Sequence, residues 1–299
     1  MHGRPIGLAA WLVLLAALHT LAVLVIWRFF VLTEHGQLLD TVALAGNWIG
    51  RRHIVSLVNT VLNTLSVLSL AVATAVVGFI ALIRRRFAVA VVTVLLIGGA
   101  NLTTQVLKLA LTRPSLGVDT AREAAGNSLP SGHTTVAASV AVALVLALPA
   151  RLRGVGGVVG AGFTALAGVA TLSAGWHRPS DAVAALLVVG AWASAAGAVL
   201  VIAQRPAERD EAPHWAAVAV LVVAALGFFV VAALALRWTD QVLTVPTDEL
   251  SRRRLLAAYG GGAAGIAGTA ALVMALVLAT VHRVVPHSSV TPGAVSANL

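Results

Sequence analysis

Long runs of apolar residues, separated by short polar segments, extend along nearly the whole chain. Eight of these runs approach or exceed the roughly 20 residues that an α-helix needs to cross a bilayer core. The predicted spans are 7–31, 54–83, 87–107, 133–148, 155–174, 180–203, 215–236 and 255–281. The pattern therefore predicts an all-α fold, a polytopic integral membrane bundle of about eight transmembrane helices.

Composition supports this class and removes several others. Of the 299 residues, 59% are hydrophobic and only 10% are charged, against about 25% charged in soluble domains. The net charge of +9 comes from arginines scattered between apolar runs. We therefore expect membrane lipids as partners and no nucleic acid, which needs a concentrated basic face. The absence of cysteine excludes a disulfide, a thiolate metal site and a cysteine nucleophile.

The sequence Pro130-Ser131-Gly132-His133 precedes the fourth predicted span. Ser131 suits an N-cap, because its hydroxyl can accept hydrogen bonds from first-turn amides, and Gly132 lets a ligand approach the backbone closely. A helix start with unpaired N–H groups binds anions readily, so we predict that His133 faces a bound anion. The alternative is a capped helix that carries a histidine at the membrane interface.

A second polar motif, His177-Arg178-Pro179-Ser180-Asp181, precedes the sixth predicted span. Proline is tolerated at a helix start, so a helix beginning at Pro179 brings Asp181 within one turn of His177. An aspartate that accepts from one imidazole nitrogen fixes the tautomer and leaves the other nitrogen nucleophilic. The alternative is that Ser180 or Asp181 caps a helix beside an interfacial histidine.

The two motifs are predicted to lie on the same side of the bilayer. Spans four and five form one hairpin, so the loop before span four and the loop after span five share a side. Lys108 and Arg113 occupy the polar segment just before the first motif. Together these residues offer a nucleophile, a proton donor and positive charge, which are the requirements of phosphoryl transfer.

These segments resemble the motifs of the type 2 phosphatidic acid phosphatase and haloperoxidase superfamily, over about residues 87–203. The family pattern is Lys, six residues, Arg-Pro; then Pro-Ser-Gly-His; then Ser-Arg, five residues, His, three residues, Asp. The second block is intact at 130–133, and the His-x-x-x-Asp end of the third block is intact at 177–181.

The chain departs from the family pattern in two places. Arg113-Pro114 follows Lys108 after four residues instead of six. The Ser-Arg pair of the third block falls on Ala170 and Thr171, so the phosphate-binding arginine of that block is missing.

The resemblance implies a role for each matching residue. His177 would attack phosphorus and form a phosphohistidine, Asp181 would orient it, and His133 would protonate the leaving group. The phosphoryl oxygens would be held by Lys108, Arg113, Ser131 and Gly132, with Arg178 or Arg122 in place of the missing arginine. Phosphatases of the family need no metal and no cofactor, and the sequence shows no carboxylate cluster that argues for one.

The function that follows is hydrolysis of a lipid phosphate or diphosphate, either polyprenyl or glycerolipid, by an integral membrane phosphatase. Polyprenyl phosphates or diphosphates, phosphatidic acid and phosphatidylglycerol phosphate all stay open as substrates. Two alternatives keep the fold: a lipid phosphotransferase that uses the same site, and a silent protein that binds or transports lipid phosphates. Retention of both histidines and the aspartate argues against a silent protein, since binding alone requires neither acid nor nucleophile.

The predicted organisation is a membrane phosphatase core at 1–203, with its motifs within 108–181, followed by two additional transmembrane helices and a short polar tail at 204–299. The first six predicted spans form the core. Short arginine-bearing loops, such as 84–86, mark the cytoplasmic side. We therefore expect a multi-pass protein of the plasma membrane with its active site on the extracytoplasmic face.

Overall fold

A computed structural model of the chain describes residues 5–47, 67–118, 126–203 and 214–285. These residues form nine α-helices and no strand. The helices are α1 (Pro5–Ile26), which continues into a π-helical turn (Trp27–Val31), α2 (Glu34–Ala45), α3 (Val67–Ile83), α4 (Phe87–Ala110), α5 (Gly132–Ala147), α6 (Ala150–Ser173), α7 (Pro179–Ala203), α8 (Trp215–Asp240) and α9 (Arg252–Val284).

The predicted helical membrane bundle is confirmed. Within the described residues, six segments are long and apolar enough to cross a membrane: Ile6–Val31 and the helices α4, α6, α7, α8 and α9. Two shorter apolar helices, α3 and α5, match the remaining predicted spans. Residues 54–66 of the second predicted span lie outside the described residues.

Close helix packing around α7 builds the centre of the bundle. The buried side of α7 is rich in small residues, including Ala184, Ala185 and Gly190. Small residues let helix backbones approach each other closely in a membrane, where dispersion contacts and hydrogen bonds hold helices together. A polar pair adds to this between α4 and α5, where Asn101 Nδ2 donates to Ser139 Oγ at 3.2 Å.

The polar stretch after the first span contains a helix that the apolar pattern does not reveal. Thr33 caps α2, accepting a hydrogen bond from the Gly36 amide at 3.1 Å. Gln37 is buried and donates to the carbonyls of Val31 at 2.8 Å and Pro114 at 3.1 Å. The second bond joins α2 to the loop that carries Arg113, so α2 packs beside the predicted site.

The last two helices pack against this core. Gly262 of α9 contacts the start of α7 so closely that an added Cβ would lie 2.5 Å from Cγ of Pro179. One turn earlier, the Tyr259 hydroxyl forms a 2.6 Å hydrogen bond with Ser173 Oγ at the end of α6. The early part of α9 therefore supports the turn that leads into α7. The division into a core and two added helices stays a prediction.

At the opposite end of the bundle, α9 is tied to the α5–α6 turn by Arg153. This side chain is fully buried. Its Nε donates to the carbonyl of Leu148 at 3.2 Å, and its Nη1 donates to the carbonyl of Val285 at 3.1 Å. The end of the last helix and the start of α6 thus share one guanidinium group.

Candidate active site

The first motif forms the capped start of α5. Ser131 is the N-cap, and its hydroxyl oxygen accepts from the Thr134 amide at 3.4 Å and from the Thr134 hydroxyl at 3.0 Å. Ser131 is buried, while Gly132 and His133 are half-buried. The predicted cap is confirmed, and it leaves the first turn of α5 with the positive end of its dipole at the site.

A glycine turn delivers the second motif. Gly175 ends α6 with φ +76°, a left-handed conformation that favours glycine. Its amide donates to the carbonyl of Leu172 at 2.9 Å, and the Trp176 amide donates to that of Thr171 at 3.0 Å. This pair of bonds is the Schellman arrangement that closes a helix C-terminus. The turn reverses the chain so that His177 comes directly before α7.

The second motif folds as its spacing predicts. α7 begins at Pro179, and His177 Nδ1 lies 3.3 Å from Asp181 Oδ2. Asp181 is fully buried, and the same oxygen accepts from Ser128 Oγ at 2.7 Å and from the Arg178 amide at 3.0 Å. Three donors therefore fix one carboxylate oxygen, and a carboxylate so held can orient the imidazole.

The two motifs are in direct contact. The Ser131 amide donates to the carbonyl of Asp181 at 2.9 Å, which confirms that both helix starts lie on one side of the bundle. The ring of His133 lies 5.3 Å, centroid to centroid, from that of Trp176, the residue before His177. Between α4 and α5, Lys108 Nζ would be 3.9 Å from a Cβ added at Gly132. The structure thus gathers both histidines and the lysine at one place.

The predicted phosphate-binding arginines differ in how closely the structure places them to the histidine site. Arg178 is buried, and its Nη1 lies 3.5 Å from Ser128 Oγ, which also bonds Asp181. Arg113 follows α4 in the loop tied to α2. Thr171, where the family pattern has arginine, is buried and donates its hydroxyl to the carbonyl of Gly168 at 2.8 Å. Arg122 lies outside the described residues.

Asp40 of α2 is a buried carboxylate at this site that the sequence reasoning missed. Its Oδ1 accepts from the Ser180 amide at 3.3 Å, and its Oδ2 accepts from the Ser180 hydroxyl. Asp40 therefore binds the first turn of α7 from the side of α2. Burial, together with the negative charge of Asp181, raises the pKa of Asp40 to about 7, although Ser180, Arg113 and Arg178 oppose this shift.

Replacing Asp40 with asparagine should change how stability depends on pH. The unfolded chain releases this proton near pH 3.8 and the folded chain near pH 7. The stability of the wild type should therefore fall as pH rises from about 4 through about 7. Asp40→Asn lacks this loss, so its thermal midpoint relative to the wild type should increase between pH 5 and pH 8 in the same detergent.

Asp248→Asn is the matched control, because it removes an exposed carboxylate from the α8–α9 loop. Its midpoint should follow that of the wild type across the range. Parallel curves for the wild type and Asp40→Asn would contradict the shifted pKa of Asp40.

The chemistry that this arrangement can perform is nucleophilic and acid–base. It combines an oriented imidazole, a second imidazole, cationic side chains and a helix start. The described residues contain no group of three or more His, Asp or Glu side chains arranged to hold a metal ion. Independence from metal stays a prediction.

Fold and site together define a multi-pass helical membrane protein whose polar groups gather at two adjacent helix starts. Residues 87–207 match the family model described as the PAP2 superfamily. This segment holds α4 to α7 and every motif that carries the resemblance, so the resemblance of this part of the chain to the PAP2 superfamily is confirmed. No curated protein and no solved structure gives a significant match to the chain. The superfamily consists generally of phosphatases, so the match over residues 87–207 supports a membrane protein of the phosphatase type.

Proposed function

We propose that the protein is an integral membrane phosphatase that hydrolyses a lipid phosphate or diphosphate through a phosphohistidine. The observation that carries the proposal is the 3.3 Å contact between His177 Nδ1 and the fully buried Asp181. This contact holds a proton on Nδ1 and leaves Nε2 as the nucleophile. His133 and Lys108 lie at the start of α5, next to this pair. A binding protein would not need the combination of these residues with His177 and Asp181.

In the first half of the reaction, His177 Nε2 attacks phosphorus. A P–N bond forms while the P–O bond to the lipid breaks, and His133 donates its proton to the departing oxygen. Asp181 stabilises the positive charge that develops on the His177 ring. The lipid leaves as a neutral alcohol from a monophosphate, or as a monophosphate from a diphosphate.

In the second half, water replaces the lipid. His133, now without its proton, accepts one from the water as the oxygen attacks phosphorus. The P–N bond breaks, inorganic phosphate leaves, and both histidines return to their starting states. An alcohol in place of water would give the phosphotransferase alternative.

Positive charge around the phosphoryl oxygens stabilises both steps. We assign this role to Lys108, Arg113, Arg178 and the Gly132 amide, with Ser131 holding the first turn of α5 in place. The burial of Arg178 beside Ser128 supports it as the substitute for the arginine missing at Thr171. Because the site lies at helix starts, near the membrane interface, a lipid substrate can reach it by lateral diffusion. The plasma membrane and its extracytoplasmic face remain the proposed location.

Phosphate release by the purified protein in detergent tests the proposal. The panel comprises a polyprenyl monophosphate and diphosphate, phosphatidic acid and phosphatidylglycerol phosphate, each with and without EDTA. We expect release from at least one lipid at the same rate in EDTA, because the nucleophile is a side chain. Loss of activity in EDTA would overturn the metal-independent mechanism. Transfer to an added lipid alcohol without free phosphate would establish the phosphotransferase, and no turnover of any kind would favour the binding protein.

A further inference from the structure

A cavity lies beside the candidate active site, between the π-helical turn after α1 and the helices α2, α7, α8 and α9. Its volume is about 280 Å³, near the lower end of the roughly 300–1,000 Å³ typical of small-molecule sites. Pro179, Ser180 and Val183 of α7 line the cavity. His177 and Asp181 do not line it. The cavity is therefore separate from the histidine site.

The cavity is polar at one end and mainly apolar along its length, where the hydroxyl of Thr269 is bonded to the carbonyl of Gly265. Asp40, Ser180 and Thr239 line the end nearest the start of α7, and Phe229 and Gly265 line the part further along α8 and α9. Thr239 and Phe229 are ten positions apart on α8, so the cavity extends along roughly 15 Å of this helix. A long space with a polar end at interface depth matches a molecule with a small head group and a hydrocarbon chain.

The cavity wall reaches the outer surface of the bundle at α8. Ala233 and Leu236 line the cavity and are exposed on this helix. Most side chains of α8 are exposed, as expected of a helix that faces lipid. A lipid could therefore enter laterally from the bilayer without passing the histidines.

We propose that this cavity binds a lipid alcohol, with its hydroxyl at the Asp40–Ser180 end and its chain along α8 and α9. Asp40 and Ser180 offer oxygen acceptors to a hydroxyl proton, and a chain satisfies the apolar walls. A lipid phosphate fits this end poorly, because no lysine, arginine or histidine among the described residues lines the cavity to pair with its negative charge. The polar end thus selects a neutral head group.

The identity of this ligand rests on the proposed function in one respect. Hydrolysis of a lipid monophosphate releases a lipid alcohol, so the cavity would hold the product, only a few residues along the chain from its site of formation. Binding itself does not require turnover, so the test measures binding directly.

The probe is a long-chain alcohol that carries a photoreactive diazirine and an alkyne, added to the purified full-length protein. We expect irradiation to label α8 and α9, as located by mass spectrometry of the digested protein. The same chain ending in phosphate instead of hydroxyl should label these helices much less in a His177→Ala background, which cannot hydrolyse it. Equal labelling by both probes would overturn the selection of an alcohol.

Gly265→Leu fills the cavity, and Gly260→Leu is its control. A Cβ at Gly265 would lie 3.9 Å from the Ala232 Cβ, an ordinary contact, and the rest of the leucine would occupy the cavity. Gly260 is on the same helix, does not line the cavity, and has nothing within 4 Å of an added Cβ. We expect Gly265→Leu to reduce labelling at least about tenfold, because the leucine side chain obstructs the path of the hydrocarbon chain through the cavity.

A second pair of variants guards against a folding defect in Gly265→Leu. Ala233→Phe narrows the exposed mouth, whereas Leu234→Phe changes an exposed residue of α8 that does not line the cavity. Both should unfold at the same temperature as the wild type in the same detergent. Labelling should fall only in Ala233→Phe. Undiminished labelling in Ala233→Phe and Gly265→Leu would overturn the proposed site, whatever the outcome of the phosphatase assay.

Discussion

Replacing His177 with alanine should reduce phosphate release by at least about 1,000-fold, because the reaction loses its nucleophile and not just a contact. The imidazole is buried against Asp181 at 3.3 Å, and the helix that follows it, α7, contains no histidine that could take over. Two measurements check this: the rate of release, and transfer of labelled phosphate from substrate to protein after rapid quenching in alkali, in which phosphohistidine survives.

The matched control is His35→Ala. His35 is exposed on α2, near the same end of the bundle, where its Nε2 lies 3.1 Å from Asp240 Oδ1. It should retain both turnover and covalent labelling. A His177→Ala protein that still incorporates alkali-stable phosphate would show that another residue is the nucleophile.

Replacing Asp181 with asparagine should lower kcat by about 100- to 10,000-fold while changing KM little. Asp181 does not reach the substrate in the proposed mechanism. Its carboxylate fixes the tautomer of His177 and stabilises the imidazolium-like charge of the intermediate, effects that appear mainly in the transition state. Steady-state kcat and KM, together with the rate of covalent labelling in a single turnover, measure the effect.

Ser128→Ala tests whether Asp181 acts through its carboxylate or only by holding the loop of Ser128 in place. It removes the 2.7 Å hydrogen bond to the same carboxylate oxygen but keeps the carboxylate. We expect a decrease of about tenfold, the order of one hydrogen bond. If Asp181→Asn raised KM and left kcat unchanged, Asp181 would instead contribute to substrate binding.

The transmembrane architecture could be predicted from sequence because a bilayer imposes a simple rule. An apolar run of about 20 residues has few alternatives to a spanning helix. The contact between His177 and Asp181 could also be predicted, because a helix that begins at Pro179 places Asp181 within one turn of His177. The parity of spans four and five then brought His133 to the same side, as the bond between Ser131 and Asp181 confirms.

The contribution of α2 could not be predicted in this way. Residues 34–45 mix polar and apolar side chains and are too short for a span. Nothing in that pattern pairs Asp40 with Ser180, because the contact joins residues 140 positions apart and depends on how the helices pack. Gly175 is different: a glycine two residues before His177, after a long apolar run, is a recognisable helix-stop signal.

The bonds of Arg153 have a consequence for how the protein is made. Its guanidinium is fully buried, and one of its hydrogen bonds ends on the carbonyl of Val285, the residue directly after α9. Removing that acceptor from a buried cation is costly. Ribosomes deliver α6 long before α9, so the arginine of the nascent α6 lacks this partner until translation of the final helix is complete. A chain that stops before α9 would lack the Val285 carbonyl, so this guanidinium would be left partly uncovered at the bundle surface.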